Sequence, residues 1–393
     1  MLKRRTFVLA SGLAASGTGA AADRIRCGTI GTGGRGTYLT AQFREHGAEM
    51  AAVCDVYERH LENGLRAASP GAVSHYDYWR LLDDKTLDAV IIATPDHLHA
   101  QMLIDAVEAG KHVYLEKPLA RTIEEGFRMI EAVRRTKRIV LLGTQRRSYG
   151  LYEEAKQILD SGAAGEIRLV NSWWVNRWDA LRTRPITGKL EWNLFLGAAP
   201  KRPFDPVRFY NWLAFPEYSG GMMIGQAAHV VDAIQWMMNS REPLAVTAAG
   251  GRINVPGAEI PETSSMIVEF PDNYLLVFTL GYQAMRYNLH NDQLMQFHGA
   301  KARFDLGRES WAITPESSAI DLKPSREKRA PNTFESASHA HVRHFLDCLR
   351  NGTKPNSTVE TGQWTNIVLG LAVESMRTGR RVAWDASARK IKV

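Results

Sequence analysis

The sequence predicts an α/β protein in two parts: an N-terminal, Rossmann-type doubly wound parallel sheet, then an α+β domain on a large, mainly antiparallel sheet. Three observations carry that prediction. The first is Cys27-Gly28-Thr29-Ile30-Gly31-Thr32-Gly33-Gly34-Arg35-Gly36, an apolar strand running into glycines at G-x-G-x-x-G spacing, with Asp55 closing a second apolar run further on. The second is strand–helix alternation through about residue 145, where the near-continuous apolar run Leu87–Thr94 suits a strand covered on both faces. The third is a series of short apolar runs near 244–253, 263–270, 273–281, 292–299 and 301–306. Pro271-Asp272-Asn273 and Gly299-Ala300-Lys301 read as hairpin connections between them, which makes the neighbours antiparallel.

Residues 1–22 read as a twin-arginine export signal. Lys3-Arg4-Arg5 precede a mildly apolar stretch ending in Ala20-Ala21-Ala22, with no acidic residue before Asp23. The stretch is short and broken by Gly12, Gly17 and Gly19, whereas a spanning helix takes ~20 strongly apolar residues. The expectation is a periplasmic or otherwise extracytoplasmic protein without stable membrane insertion.

Composition sets bounds. With 393 residues, 45% of them hydrophobic and 23% charged, the chain has ordinary globular content and room for two domains. The formal charge is +7, and losing Lys3, Arg4 and Arg5 with the signal lowers it to +4. Basic clusters such as Arg134-Arg135-Thr136-Lys137-Arg138 lack aromatic interleaving, so no nucleic-acid partner is expected. Cys27, Cys54 and Cys348 form no C-x-x-C pair, which argues against a disulfide framework and a zinc site; no metal is expected.

Residues 23–145 form the predicted dinucleotide-binding domain. Gly31 permits the sharp turn, Gly33 leaves room for a pyrophosphate, and Gly36 allows close helix packing. Gly34 and Arg35 lie at the helix start, where free amides and the dipole favour phosphate. Asp55 would accept from the adenosine ribose and repel a 2′-phosphate, favouring NAD(H) over NADP(H); Arg35, Arg59 and His60 are nearby cations that weaken the preference. Ligands of such sheets lie at the carboxyl ends of strands. That rule adds Thr94, Pro95, His97, His99, Glu116, Lys117 and Gln145 to the cofactor site.

At these residues the chain resembles a known family. The segment GTIGTGGRG, Ala93-Thr94-Pro95-Asp96-His97-Leu98-His99, Gly110-Lys111-His112-Val113 with Glu116-Lys117-Pro118, and Gly220-Gly221 leading to His229 and Asp232 together resemble the glucose-fructose oxidoreductase and inositol dehydrogenase family, Gfo/Idh/MocA. The resemblance covers essentially everything after the signal. It implies hydride transfer between a sugar or cyclitol carbinol and a nicotinamide cofactor. Lys117 matches the lysine of the E-K-P motif, with Pro118 often cis, and His229 matches the acid/base histidine on a helix read as Gly225–Met238. Asp232 falls on the same face one turn later.

One departure stands out. The family pattern D-x-G-x-H is Gly225-Gln226-Ala227-Ala228-His229 here, so the carboxylate is missing and Gln226 or a water assists instead, or the chemistry differs. Two further readings therefore remain: a glycoside hydrolase or lyase working by transient oxidation, and a non-catalytic sugar-binding protein. Export adds a requirement, because free NAD is scarce outside the cytoplasm; the cofactor is expected to be held tightly.

Residues 146–336 form the predicted substrate and oligomerisation domain. Its connection 176–219 is rich in Pro and Trp, and Trp173, Arg177, Trp192, Gln226 and Asp232 are expected to address the carbohydrate. By family analogy the sheet pairs two subunits into a homodimer or homotetramer. Helices near 337–350 and 361–378, with the tail to 393, are expected to return to the first domain.

Overall fold

The computed structural model describes residues 24–392 except 176–177, 282–292 and 318–322. The export segment and Arg177 lie outside the described residues.

The first sheet is built by β1 (Arg26–Ile30), β2 (Glu49–Cys54), β3 (Val73–His75), β4 (Ala89–Ile92), β5 (His112–Leu115) and β6 (Val140–Leu142). Their order is β3-β2-β1-β4-β5-β6, and every pairing is parallel. Alternation explains the unbroken apolar run of β4. Val90 and Ile92 pack beneath α4 (Asp96–Glu108) and α5 (Ile123–Thr136), while Ala89 and Ile91 face α1 (Gly34–Glu45) and, further on, a helix from the end of the chain. A capping box between Thr122 and Glu125 fixes the start of α5. Between strands, α2 (Glu58–Ala67) and the short α3 (Tyr78–Leu82) complete this half.

A 3₁₀ turn at Gln145–Ser148 leads into α6 (Gly150–Asp160) and β7 (Ile167–Val175). The long connection that follows is not structureless. Its described part holds α7 (Trp192–Leu196), α8 (Pro206–Tyr210) and a 3₁₀ turn at 212–214 before α9 (Gly221–Met237). The helix of His229 therefore begins one turn earlier than its apolar pattern suggests.

The second sheet contains β8 (Ala245–Gly250), β9 (Ser264–Phe270), β10 (Tyr274–Gly281), β11 (Gln293–Gly299), β12 (Ala302–Gly307), β13 (Ser310–Pro315) and β14 (Arg326–Arg329). After α10 (Ser336–Asn351) and α11 (Val359–Thr378) come β15 (Val382–Asp385) and β16 (Lys390–Lys392). Among the described residues the order is β14-β13-β12-β11-β7-β10-β9-β8-β15-β16, antiparallel except where β7 and β10 run parallel. One face packs on α6, α9 and α11; the other leaves Ile267 and Leu275 exposed at 45% and 42%, which marks it as uncovered in the monomer.

The end of the chain divides its packing, contrary to the expectation that all of it returns to the first domain. Only α10 does so fully, seating Val342, Phe345 and Leu346 against Phe43 and Tyr114. Helix α11 is buried on several sides and lies between α9, α5 and β8. Val382 and Trp384 alternate inward, so β15 and β16 extend the large sheet instead.

Candidate active site

The site begins at the glycine turn. Gly31 has φ +86°, and a Cβ there would stand 2.7 Å from the Ala93 carbonyl oxygen. At Gly36 a Cβ would stand 1.7 Å from the Gly31 oxygen, so α1 touches the turn through bare backbone. Gly33 and Gly34 face the other way. A Cβ at Gly33 meets only His60 at 3.8 Å, and at Gly34 nothing within 4 Å. An open cradle at a helix N-terminus fits a pyrophosphate. Asp55 sits at the end of β2 with its carboxylate accepting from Thr32 N (2.7 Å) and Tyr57 N (3.0 Å), and with His60 Nδ1 at 3.3 Å.

These groups open into a cavity of about 290 Å³ floored by Thr94 and Pro95 and roofed by Phe195, Phe209 and Trp212. The roof belongs to the connection after β7. A strap across the start of α2 anchors it: Glu58 N donates to Lys189 O, Lys189 N to Glu58 Oε2 (2.7 Å), Glu191 N to Val56 O, and Thr187 N to Tyr57 Oη. The tryptophan-rich connection thus covers the nucleotide end of the cleft rather than the sugar end.

Lys117 follows β5 and precedes a cis Pro118. His99, buried in α4, turns its ring nitrogens to the carbonyls of Thr94 (2.9 Å) and Pro118 (2.8 Å), tying two strand ends together. Lys117 Nζ donates to Gly225 O at 3.1 Å. Four residues on, one helical turn along α9, stands His229 on the same face. Its Nδ1 has no partner, and the Trp174 ring lies 6.0 Å away at 32°. Burial holds the imidazole well below its ordinary range, with the positive charges of Lys117, Arg146 and Arg35 acting in the same direction.

Arg35 Nε donates to Glu116 Oε1 at 2.8 Å. Arg35 Nη2, Gln145 Oε1 and Gln226 Oε1 are buried without hydrogen-bond partners, a polar capacity that a bound molecule would satisfy. Open glycines at one end and unpartnered polar atoms at the other fit a dinucleotide with a hydroxylated molecule beside it.

Four expected contacts differ. Asp232 is buried and accepts from Arg147 Nε with both oxygens (3.0 and 2.9 Å), so it belongs to a closed ion pair rather than to a substrate surface. Trp192 stacks on Phe195 at 4.9 Å and donates its indole N–H to Arg202 O, supporting the roof. Trp173 lies on the opposite face of β7 from Trp174, because strand residues alternate; the indole facing His229 is Trp174. His97 joins α4 to the roof through Phe195 O (2.8 Å), and burial pushes its imidazole down to about 4.

Sequence reasoning missed Arg146 and Trp174. The period-2 pattern Val170, Ser172, Trp174 along β7 could have placed Trp174 inward, since Val170 and Ser172 are the strand's buried residues.

A glycine cradle, a strand-end lysine and a helix histidine arranged in this way define a nicotinamide-dependent oxidoreductase. The comparisons agree. The family model described as "Oxidoreductase family, NAD-binding Rossmann fold" matches residues 25–144, and the GFO/IDH/MocA C-terminal domain matches 152–305. The chain belongs to the Gfo/Idh/MocA oxidoreductase family. It is 26% identical over 373 residues, 92% of this chain and 97% of the relative, to scyllo-inositol 2-dehydrogenase (NAD(+)) of Bacillus subtilis (strain 168). It is 40% identical over 149 residues, 38% of this chain and 43% of the relative, to inositol 2-dehydrogenase 2 of Saccharopolyspora erythraea. In fold it is similar to a levoglucosan dehydrogenase in complex with NADH and levoglucosan, with a TM-score of 0.72 at 20% identity, covering 92% of this chain and 99% of that one.

Proposed function

We propose that the protein oxidises or reduces a ring alcohol of a cyclitol or sugar with a retained NAD, Lys117 and His229 acting on one alcohol oxygen. The observation that carries this reading is the convergence of Lys117 and His229 on one face of α9. Gly33, Gly34, Asp55 and Thr94 would hold the NAD, which supplies a hydride acceptor at its nicotinamide C4. Lys117 binds the alcohol oxygen and stabilises the negative charge that develops as its proton departs. His229, neutral because it is buried among cations, accepts that proton. Gln145 and Gln226 accept from neighbouring hydroxyls, and Trp174 offers an indole face to ring C–H groups. The dehydrogenase names of the relatives support the substrate class.

The strap from Thr187 to Glu191 supports retention of the cofactor, since it anchors the connection that bears the aromatic roof to the start of α2. Lys3-Arg4-Arg5 supports export; changing both arginines to lysine is expected to keep the protein in the cytoplasm, and unchanged export would contradict it. The uncovered face of the large sheet, with Ile267 and Leu275, supports pairing with a second copy.

The test is native purification, denaturing release and mass analysis of bound nucleotide, then challenge with cyclitols, sugars and glycosides while nicotinamide absorbance is followed. Bound NAD reduced by a free sugar or cyclitol is the expected result. Nucleotide-free protein, or aglycone release without reduced cofactor, would contradict it.

A further inference from the structure

We infer that Asp96 is a positioning residue of the reaction, a buried carboxylate whose negative charge supports the Lys117 ammonium where it meets the alcohol oxygen. The inference rests on the proposed dehydrogenase reading and adds a residue to it.

Topology brings the two groups together. Strands β4 and β5 are parallel neighbours with Ile92 opposite Leu115, and the Glu116 amide donates to Ile92 O at 2.9 Å. Asp96 opens α4 just beyond the first strand, and Lys117 stands just beyond the second. His99 spans the gap between them, bonded to Thr94 O and Pro118 O. Asp96 is 2% exposed, and its Oδ2 accepts from Ser219 Oγ at 2.6 Å. That hydroxyl accepts in turn from the amide of Gly221, the first residue of α9, at 3.2 Å, while Lys117 donates to Gly225 O one turn along. The carboxylate and the ammonium therefore hold the same face of the same helix, which one turn later presents His229.

The other acids nearby are paired with arginines, Glu116 with Arg35 and Asp232 with Arg147. Asp96 differs: among the described residues it has no cation in salt-bridge contact, so no arginine cancels its field. Burial pushes its carboxyl up, whereas His99, the Ser219 hydroxyl and Lys117 act in the opposite direction, and the start of α4 favours an anion. At low local dielectric such a charge reaches the ammonium through space, without a bond between them. Position 225, where the family pattern has a carboxylate, offers none, and Asp96 brings one from the first domain.

The test follows reduction of bound NAD in the holoenzyme by nicotinamide absorbance, at saturating scyllo-inositol, myo-inositol or glucose, between about pH 6 and pH 9. Wild type is compared with Asp96→Asn, with Asp96→Ser as a second charge-free variant, and with Ser219→Ala. Asparagine keeps the shape of the side chain and an acceptor for Ser219 while removing the charge. An ammonium gives up its proton more readily without an adjacent anion. The inference therefore predicts charge-free variants that match wild type at about pH 6 and reduce NAD about 10-fold more slowly by about pH 9, with NAD content unchanged. Ser219→Ala retains the charge, so it lowers the melting temperature and keeps the wild-type pH dependence. A deficit in the charge-free variants that is equal at every pH, or no deficit, overturns the inference and leaves the dehydrogenase reading standing. The same pH-dependent deficit in Ser219→Ala does so too, since packing then accounts for it. Wild type that reduces its NAD with none of the three compounds overturns both.

Discussion

The Lys117 ammonium, at the end of a strand in the first domain, donates to the Gly225 carbonyl 3.1 Å away in the second. That bond crosses from one sheet's domain to the other and fixes the cation one helical turn before His229. Each half of the proposed reaction centre is therefore carried by a different domain and aligned by the packing between them.

His229 should act as a base at unusually low pH. Burial, then Lys117, Arg146 and Arg35, all lower its proton affinity, so it stays neutral as pH falls through the ordinary histidine value of about 6.5. The acid limb of kcat/KM for alcohol oxidation is expected below that value, and Arg146→Gln should move it upward. A limb near 6.5 in both proteins would count against this.

Asp232→Asn should damage the fold and spare the substrate. It leaves Arg147 buried and uncompensated, a loss of about 3–5 kcal/mol. Urea unfolding is expected to show that loss with KM unchanged in the folded protein; raised KM with unaltered stability would restore Asp232 to the substrate site.

Acid should destabilise the protein through its buried histidines. Burial pushes His341 down to about 3 and His97 to about 4, although each has a carbonyl partner. In the unfolded chain both take up protons below about pH 6.5, so the unfolded state binds more protons and stability falls as pH drops, by about 1.4 kcal/mol per unit for each group. Thermal melts between about pH 7 and pH 5 should show the decline, and His341→Asn should flatten it. A melting temperature independent of pH across that window would refute the assignment.

Gly34→Ala and Gly36→Ala should separate binding from folding. The first adds a methyl group to open space and is expected to keep the melting temperature while weakening nucleotide binding. The second drives a methyl into the Gly31 oxygen and should cost about 1–3 kcal/mol or more. Equal nucleotide affinity in Gly34→Ala and wild type would show that the cradle lies elsewhere.

The nucleotide half was legible in the sequence because its demands are local. Glycine spacing, the acid closing β2 and the apolar strand β4 each report on neighbours fixed by the chain itself. The positions of Lys117 and His229 were legible through motifs, whereas their contacts were not. Asp232 reads as a site residue by helix periodicity, yet its partner Arg147 lies 85 positions away in sequence. Trp192 likewise took its role from the aromatic roof, a tertiary assembly that no short-range pattern encodes. Strands β13 to β16 were not read from the sequence: the edge strand β14 is wholly exposed and lacks an apolar pattern, whereas the inner strands β13 and β15 carry only short alternations, Trp311 with Ile313 and Val382 with Trp384.

The most direct measurement is redox cycling in Lys117→Ala and His229→Ala, with bound NAD quantified in the same samples. Both variants are expected to retain nucleotide and to lose turnover by about 10²- to 10⁴-fold, as removal of a positioned acid/base or charge-stabilising group does. Full cycling in either variant, with nucleotide bound, would contradict the assignment of these two side chains to a single alcohol oxygen.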